Sequence, residues 1–343
     1  MPVVNLDDIA RVSDAALSAI AVPHPHREII TRSIVDAHAT GKGTHGIGRL
    51  PIYLRKVKQG LMHAGTPLTE ITSGPAFALL DAEHGFGQVA GILGMQRAIE
   101  MAKVCGISLV GIRHSHSFGT AAFTAKEAAH AGMVGIVLSN ASAAIAPTGG
   151  KTALFGTNPM AFAFPGEDGA PAIVLDMATA QVARSKVRQA LANGEPIPLG
   201  WALDEDGNPT TDAERALNGS MIPVGGAKGY GLSLVIDVLA GLLTGSGFAG
   251  GAYGLNHPDQ PSNCGHFLVA IDITKFMTPA QYQDNIAHLT AATKAAGEAG
   301  AVSLPGARSG TYMEGRNNCV PISDAIADKV RALTTELGIA PLV

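Results

Sequence analysis

Gly41-Lys42-Gly43-Thr44-His45-Gly46 spells G-x-G-x-x-G, and the reading of that string decides the fold. A dinucleotide fingerprint needs a strand before it, a helix after it and an acid about 20 residues on, because its glycines bring backbone N–H groups up to a pyrophosphate at a helix start. That context is missing. The residues ahead of the string carry Ile29, Ile30, Ile34 and Val35 at helical spacing, and the next acid is Glu70. The string reads as a glycine-flanked turn after a helix.

Outward from the turn, Ile9, Val12, Ala16, Leu17 and Ile20 predict a first helix, broken by Pro23 and Pro25. Residues 27–39 make a second, and 50–60 a third that stops at Gly60. From Ala76 the period changes. Residues 76–81 predict a strand and 91–104 a helix ending at Gly106. The continuous apolar run 107–112 predicts a buried strand. A helix over 120–131 and strands over 134–138, 161–164 and 173–176 follow. Residues 195–212 are rich in turn formers and read as an excursion, not core. A long apolar helix (229–243), a strand (267–273), an Ala-rich helix (278–300) and a last helix (322–337) complete the chain. The alternation predicts an α/β core with helical ends. Residues 1–74 and 276–343 are expected to form one discontinuous helical domain around a 75–275 α/β domain.

Of the 343 residues, 46% are hydrophobic and 15% charged, enough to fill a core and far from a disordered composition. The net charge of -4 leaves no basic excess for nucleic acid. Cys105, Cys264 and Cys319 are too few and too far apart for a disulfide framework or paired metal ligands, and fit a reducing compartment. The N-terminus lacks a basic segment followed by an apolar one, and apolar stretches break within about ten residues, too short for a bilayer. A cytoplasmic protein without nucleic-acid, membrane or metal partners is expected. Gly149-Gly150-Lys151-Thr152 looks like the end of a P-loop, but Ile145 stands where its first glycine belongs. No H-E-x-x-H, C-x-x-C or G-x-S-x-G occurs.

Four stretches bear chemistry. In Thr44-His45-Gly46-Ile47-Gly48-Arg49, His45 can move a proton near neutral pH and Arg49 can clamp a carboxylate through two parallel hydrogen bonds. A surface turn with a solvated His and Arg accounts for the same residues. Arg113-His114-Ser115-His116-Ser117-Phe118-Gly119 begins where the 107–112 strand ends, a place where α/β sheets bind ligands. It equally reads as a polar loop capping the next helix. Phe155-Gly156-Thr157-Asn158-Pro159 and Leu175-Asp176-Met177-Ala178-Thr179 punctuate strands; Asp176 can orient a histidine or bind a ribose hydroxyl, or serve a turn. Gly225-Gly226-Ala227-Lys228-Gly229-Tyr230-Gly231 opens the apolar helix with backbone N–H groups and a lysine suited to a phosphate or carboxylate, or with mere flexibility.

Together these stretches resemble the type 2 malate/L-lactate dehydrogenase family, which is unrelated to the Rossmann malate and lactate dehydrogenases. The family includes sulfolactate, ureidoglycolate, diketogulonate and cyclic-imine carboxylate oxidoreductases. The matching stretches, in order, are THGIGRLPIY, RHSHSFGTAAF, LFGTNPMAFAFP, IVLDMATA, GWALDEDGNPTTD, GGAKGYGLSLVIDVLAGLLTG and LPGARS. They cover nearly the whole chain. Thr44 stands where Ser is usual before the histidine. SNASAAIAP followed by GEPIPLGWALDEDG is most like the sulfolactate and malate branch.

The resemblance implies an α/β (α+β) fold with a non-Rossmann, mixed-sheet NAD(P) domain, a homodimer, and hydride transfer between NAD or NADP and C2 of a small 2-oxo or 2-hydroxy acid. It places the proton-transferring histidine at His45 or His116, with Asp176 as an orienting partner, and Arg49 with Thr44 at the substrate. Asn140, Asp176, Met177, Ala178, Lys228, Gly306, Ala307 and Arg308 fall in its cofactor-contacting segments. Should the cofactor carry a 2′-phosphate, Arg184, Lys186 or Arg188 can supply the cation it needs, and a solvated charge cluster accounts for the same residues. The alternatives are a reductase of pyrroline- or piperideine-2-carboxylate and an NAD(P)-binding protein without turnover.

Overall fold

The computed structural model describes residues 1–298 and 300–342; position 299 of the expected 278–300 helix and position 343 of the C-terminal segment lie outside the described residues. The chain opens with β1 (Val3–Asn5), α1 (Leu6–Ser18), α2 (His24–Ala39) and α3 (Leu50–Lys58). Asn5 caps α1, its side chain accepting from the backbone N–H of Asp7 at 2.8 Å. α2 begins at His24, ahead of the predicted start, because Pro25 sits in the first turn, where its missing N–H costs nothing.

Then come β2 (Thr69–Gly74), β3 (Phe77–Asp81), α4 (Gly87–Cys105), β4 (Ile107–Ser115), α5 (Ala121–His130), β5 (Met133–Ser139), β6 (Met160–Pro165) and β7 (Pro171–Met177). After them run α6 (Arg184–Asn193), β8 (Ala202–Leu203), β9 (Pro209–Thr210), α7 (Ala213–Asn218), β10 (Ser220–Met221) and α8 (Ala227–Ile236), which continues as a π-helical stretch, Asp237–Leu242. The chain closes with β11 (Cys264–Asp272), α9 (Pro279–Ala295), α10 (Ala307–Gly310), β12 (Cys319–Pro321) and α11 (Asp324–Leu337). β2, an exposed edge strand of polar residues, has no apolar alternation and escaped the sequence reading.

Seven strands form one mixed sheet in the order β2-β3-β4-β11-β5-β6-β7. β3 and β4 are parallel, with α4 as their crossover; the other neighbours are antiparallel. One sheet face is packed: Leu80, Val110, Ile112, Val137, Leu268 and Ala270 meet α4 and α5. On the other face Ile107 and Leu109 are 48% and 39% exposed, so the 107–112 run is buried on one side only. β4 also continues to Ser115, which puts Arg113, His114 and Ser115 inside the strand instead of in a loop after it.

The helical ends share a core of Ile9, Leu17, Ile34, Tyr53, Val330 and Leu333, and β1 pairs antiparallel with β12. Full burial of each of these side chains stabilises by about 1.5–3 kcal/mol. The 195–212 excursion is not coreless as expected. Ile197 and Ala202 pack with Val187, Ala190, Ala213 and Ala216, beside a small sheet in the order β10-β8-β9. Among the described residues no helix is long and apolar enough to cross a membrane.

Candidate active site

The turn after α2 is two short 3₁₀ stretches, Gly43–His45 and Ile47–Arg49. His38, buried in the last turn of α2, holds it: His38 Nε2 accepts the backbone N–H of Ile47 at 3.0 Å. A Cβ on Gly46 would lie 2.2 Å from that nitrogen, so only glycine lets the turn close over the imidazole. Arg49 Nε donates to the Thr44 carbonyl at 2.8 Å, and its terminal nitrogens form no hydrogen bond among the described residues. Thr44 is exposed.

His45 is half-buried in this turn. Burial and the positive charges of Arg49 and Lys42 push its pKa down to about 4, opposed by the Asp176 carboxylate. Lys42 and Asp176 form an ion pair between the turn and β7. The structure thus brings His45, Arg49 and Asp176 together and adds Lys42, which sequence reasoning missed although it lies inside the string first quoted.

Lys42 and Asp176 line a cleft of about 480 Å³ with Gly306 and Ala307. Gly306 has φ +88°, and a Cβ there would come within 2.7 Å of the Val174 carbonyl oxygen. Val174 N–H donates to the Pro305 carbonyl at 3.2 Å, which seats this segment against β7. Met177 is partly buried against Met160 and Ile236, and Ala178 is half-buried. Beyond them the buried hydroxyl of Thr179 has no hydrogen-bond partner. Lys228 is exposed in the first turn of α8, and Arg308 is exposed in α10.

Two expected residues are engaged elsewhere. Asn140 is buried, its amide nitrogen donating to Asp237 Oδ1 at 3.1 Å and the Gly247 carbonyl at 2.5 Å, while its oxygen accepts from Gly265 N–H at 2.9 Å. Both amide protons are spent inside the protein. His116 is fully buried. Its Nε2 lies 2.9 Å from the Leu61 carbonyl, an acceptor, so Nε2 carries the proton and Nδ1 accepts from Ser262 Oγ at 2.9 Å. Burial pushes its pKa down to about 3, with Lys56, His84 and His266 adding to the effect. The charged groups that act on His45 are not those that act on His116. No group of three or more His, Cys, Asp or Glu suited to a metal occurs among the described residues.

Residues 4–331 match the family model described as malate/L-lactate dehydrogenase. The chain is 38% identical to the (2R)-3-sulfolactate dehydrogenase (NADP(+)) of Chromohalobacter salexigens, over 96% of this chain and 97% of that one. It is 36% identical to the Delta(1)-pyrroline-2-carboxylate reductase of Ancylobacter novellus, over 76% and 77%. The solved sulfolactate dehydrogenase of Methanocaldococcus jannaschii superposes with a TM-score of 0.92 at 32% identity, covering 99% of this chain and 98% of that one. With a mixed sheet, a His-Arg turn beside a glycine-lined cleft, and these matches along almost its whole length, the chain belongs to the malate/L-lactate dehydrogenase family.

Proposed function

We propose that this protein is an NAD(P)-dependent dehydrogenase that interconverts a small 2-hydroxy acid and its 2-oxo acid, of the malate or sulfolactate type. The observation that carries the reading is the imidazole of His45 in one turn with a guanidinium whose terminal nitrogens form no hydrogen bond among the described residues, with burial and that positive charge favouring the neutral imidazole.

Three observations support a nicotinamide cofactor, two of them beyond the lining of the cleft and one in the cleft. The cleft's volume lies within the roughly 300–1,000 Å³ of small-molecule sites. Gly225 and Gly226, with positive φ and little within reach of an added Cβ, leave backbone open at the start of α8. The orphaned Thr179 hydroxyl lies next to the Asp176–Ala178 segment. Asp176, Met177, Ala178, Lys228, Gly306, Ala307 and Arg308 would hold the cofactor, in a domain without the Rossmann fingerprint. When bound, the nicotinamide supplies or accepts the hydride at substrate C2.

The chain's own groups do the rest. Arg49 takes the substrate carboxylate, which fixes C2 and its oxygen relative to His45. Neutral His45 accepts the proton of the 2-hydroxyl during oxidation and returns it to the oxygen during reduction. A carboxylate on Arg49 offsets one of the positive charges that depress His45, so substrate binding raises its pKa toward the working range. The Lys42–Asp176 pair sets the remaining field. His116, with both ring nitrogens engaged, is a positioning residue that ties the segments at Leu61 and Ser262 together.

A second reading, reduction of a cyclic imino acid, is favoured by that same low pKa, because an imine that arrives protonated needs little acid from the enzyme. Turnover of oxaloacetate and sulfopyruvate against pyrroline- and piperideine-2-carboxylate, each with NADH and NADPH, separates the two. Oxidation of cofactor by none of them leaves a binding protein and overturns both.

Three finer readings accompany this one. The partner is a second copy of the chain. The open part of the second sheet face, at Phe77, Ile107 and Leu109 beside the part that α8 and its π-helical extension cover, and the exposed Val235, Leu242 and Leu243 around α8, form apolar surface of the kind that monomers rarely leave open. The domain division at 1–74, 75–275 and 276–343 is supported by the bundle core, which draws most of its side chains from the two ends of the chain. A cytoplasmic site is supported by three free cysteines.

A further inference from the structure

Five charged side chains line the 480 Å³ cleft: Asp36, Lys42, Lys126, Asp176 and Lys294. Lys42 is paired with Asp176, and Lys126 with Asp36 at 2.5 Å. Both carboxylates are therefore neutralised by a lysine across the cleft. Lys294, near the end of α9, forms no salt bridge among the described residues and faces the Leu304–Gly306 segment that β7 holds. The cleft carries one uncompensated positive charge.

Selection for NAD rests on a carboxylate that accepts from the ribose 2′-hydroxyl and repels a phosphate placed there. Each acid of this cleft carries a lysine partner, which offsets the repulsion it would exert on a phosphate. The cations that the sequence offers do not line the cleft: Arg184, Lys186 and Arg188 are absent from its walls, and Arg184 is spent on the carbonyls of Ala143 and Leu217 at 3.1 and 2.8 Å. Resting on the proposed cofactor reading, we infer that Lys294 binds the 2′-phosphate of NADP(H) and makes this protein select NADP(H) over NAD(H). A phosphomonoester carries close to two negative charges at neutral pH, and a lysine that forms no salt bridge among the described residues is the matching group.

The test is binding of two fragments, 2′,5′-ADP and 5′-AMP, by calorimetry, which needs neither substrate nor turnover. The wild type is expected to bind 2′,5′-ADP more tightly than 5′-AMP. Lys294→Ala should weaken 2′,5′-ADP by about ten- to a hundredfold, the loss of one charge-assisted contact, and leave 5′-AMP unchanged. Lys294→Glu should weaken it further, and Lys294→Arg should keep most of the preference. Lys294 is exposed, so these variants keep the core intact. Equal loss of both fragments, no loss of either, or a selective loss on Arg188→Ala instead overturns the assignment while leaving the cofactor cleft standing. Binding of neither fragment by the wild type overturns the cofactor reading and the assignment with it.

Discussion

The ammonium of Lys42 is ion-paired with the carboxylate of Asp176, and His45, three residues along from Lys42, feels the charge of both. This pair joins the helical turn to the sheet and, after burial and Arg49, modulates the proton affinity of the imidazole, Asp176 raising it and Lys42 lowering it. Lys42→Met removes a cation and frees an anion, and both changes raise the His45 pKa. For oxidation, which needs neutral His45, the acid limb of kcat/KM should move to higher pH. An acid limb that stays in place, or moves down, would show that another group carries the proton.

His45 and His116 answer differently to substitution. His45→Gln should lower kcat by about 10²–10⁴ while the protein stays folded. His116→Asn strands the Leu61 carbonyl and the Ser262 hydroxyl, each a loss of about 1–3 kcal/mol, and so should lower Tm with a smaller effect on kcat in the folded fraction. Near wild-type kcat in His45→Gln would refute the assignment.

Arg49→Lys keeps the charge but loses the planar fork. KM for the acid should rise about tenfold or more, with the KM for NAD(P)H unmoved. A parallel rise in both constants would place Arg49 at the cofactor instead.

Gly46→Ala should disable the site, since the new methyl meets the His38 ring. The turn must shift or the imidazole leave, at a cost of about 1–3 kcal/mol. Adding His38→Ala should relieve the clash and recover stability but not activity, because Ile47 N–H loses its acceptor. Full activity in the single variant would sink this account of the turn.

His38, His116 and His266 are all buried and held neutral, at about 4, 3 and 4, below the 6.5 they have when unfolded. Their folded pKa values are depressed, so below pH 6.5 the unfolded chain takes up protons that the native one refuses. Stability should therefore fall with pH from about 6.5 toward 4, by up to about 1.4 kcal/mol per pH unit for each histidine. Urea midpoints at pH 7.0, 6.0 and 5.0 check the slope; a flat series would contradict it.

The apolar face around α8 gives the last expectation. Val235→Glu with Leu243→Glu should shift the sedimentation coefficient from dimer to monomer without changing the far-UV spectrum. A wild type that already sediments as a monomer removes the homodimer.

Much of the fold was legible because its signals are local. The apolar spacing in α1, the strand at Ile107 and the glycine stop at Gly106 each act within a few residues, and the Gly41–Gly46 string failed its own local context. The motifs around His45, Asp176 and Gly306 were visible for the same reason. What a strand's second face meets is not local: Ile107 and Leu109 read as buried and stand open. Which histidine keeps a free nitrogen depends on Leu61 and Ser262, 55 and 146 residues from His116. The partner of Lys42 lies 134 residues away. Amino-acid order alone determined the periodicities, the turns and the family's signature stretches, since propensity and chain stiffness act between neighbours. Only tertiary packing decided which charges meet and which imidazole is sealed, because burial and Coulomb fields depend on distance through space.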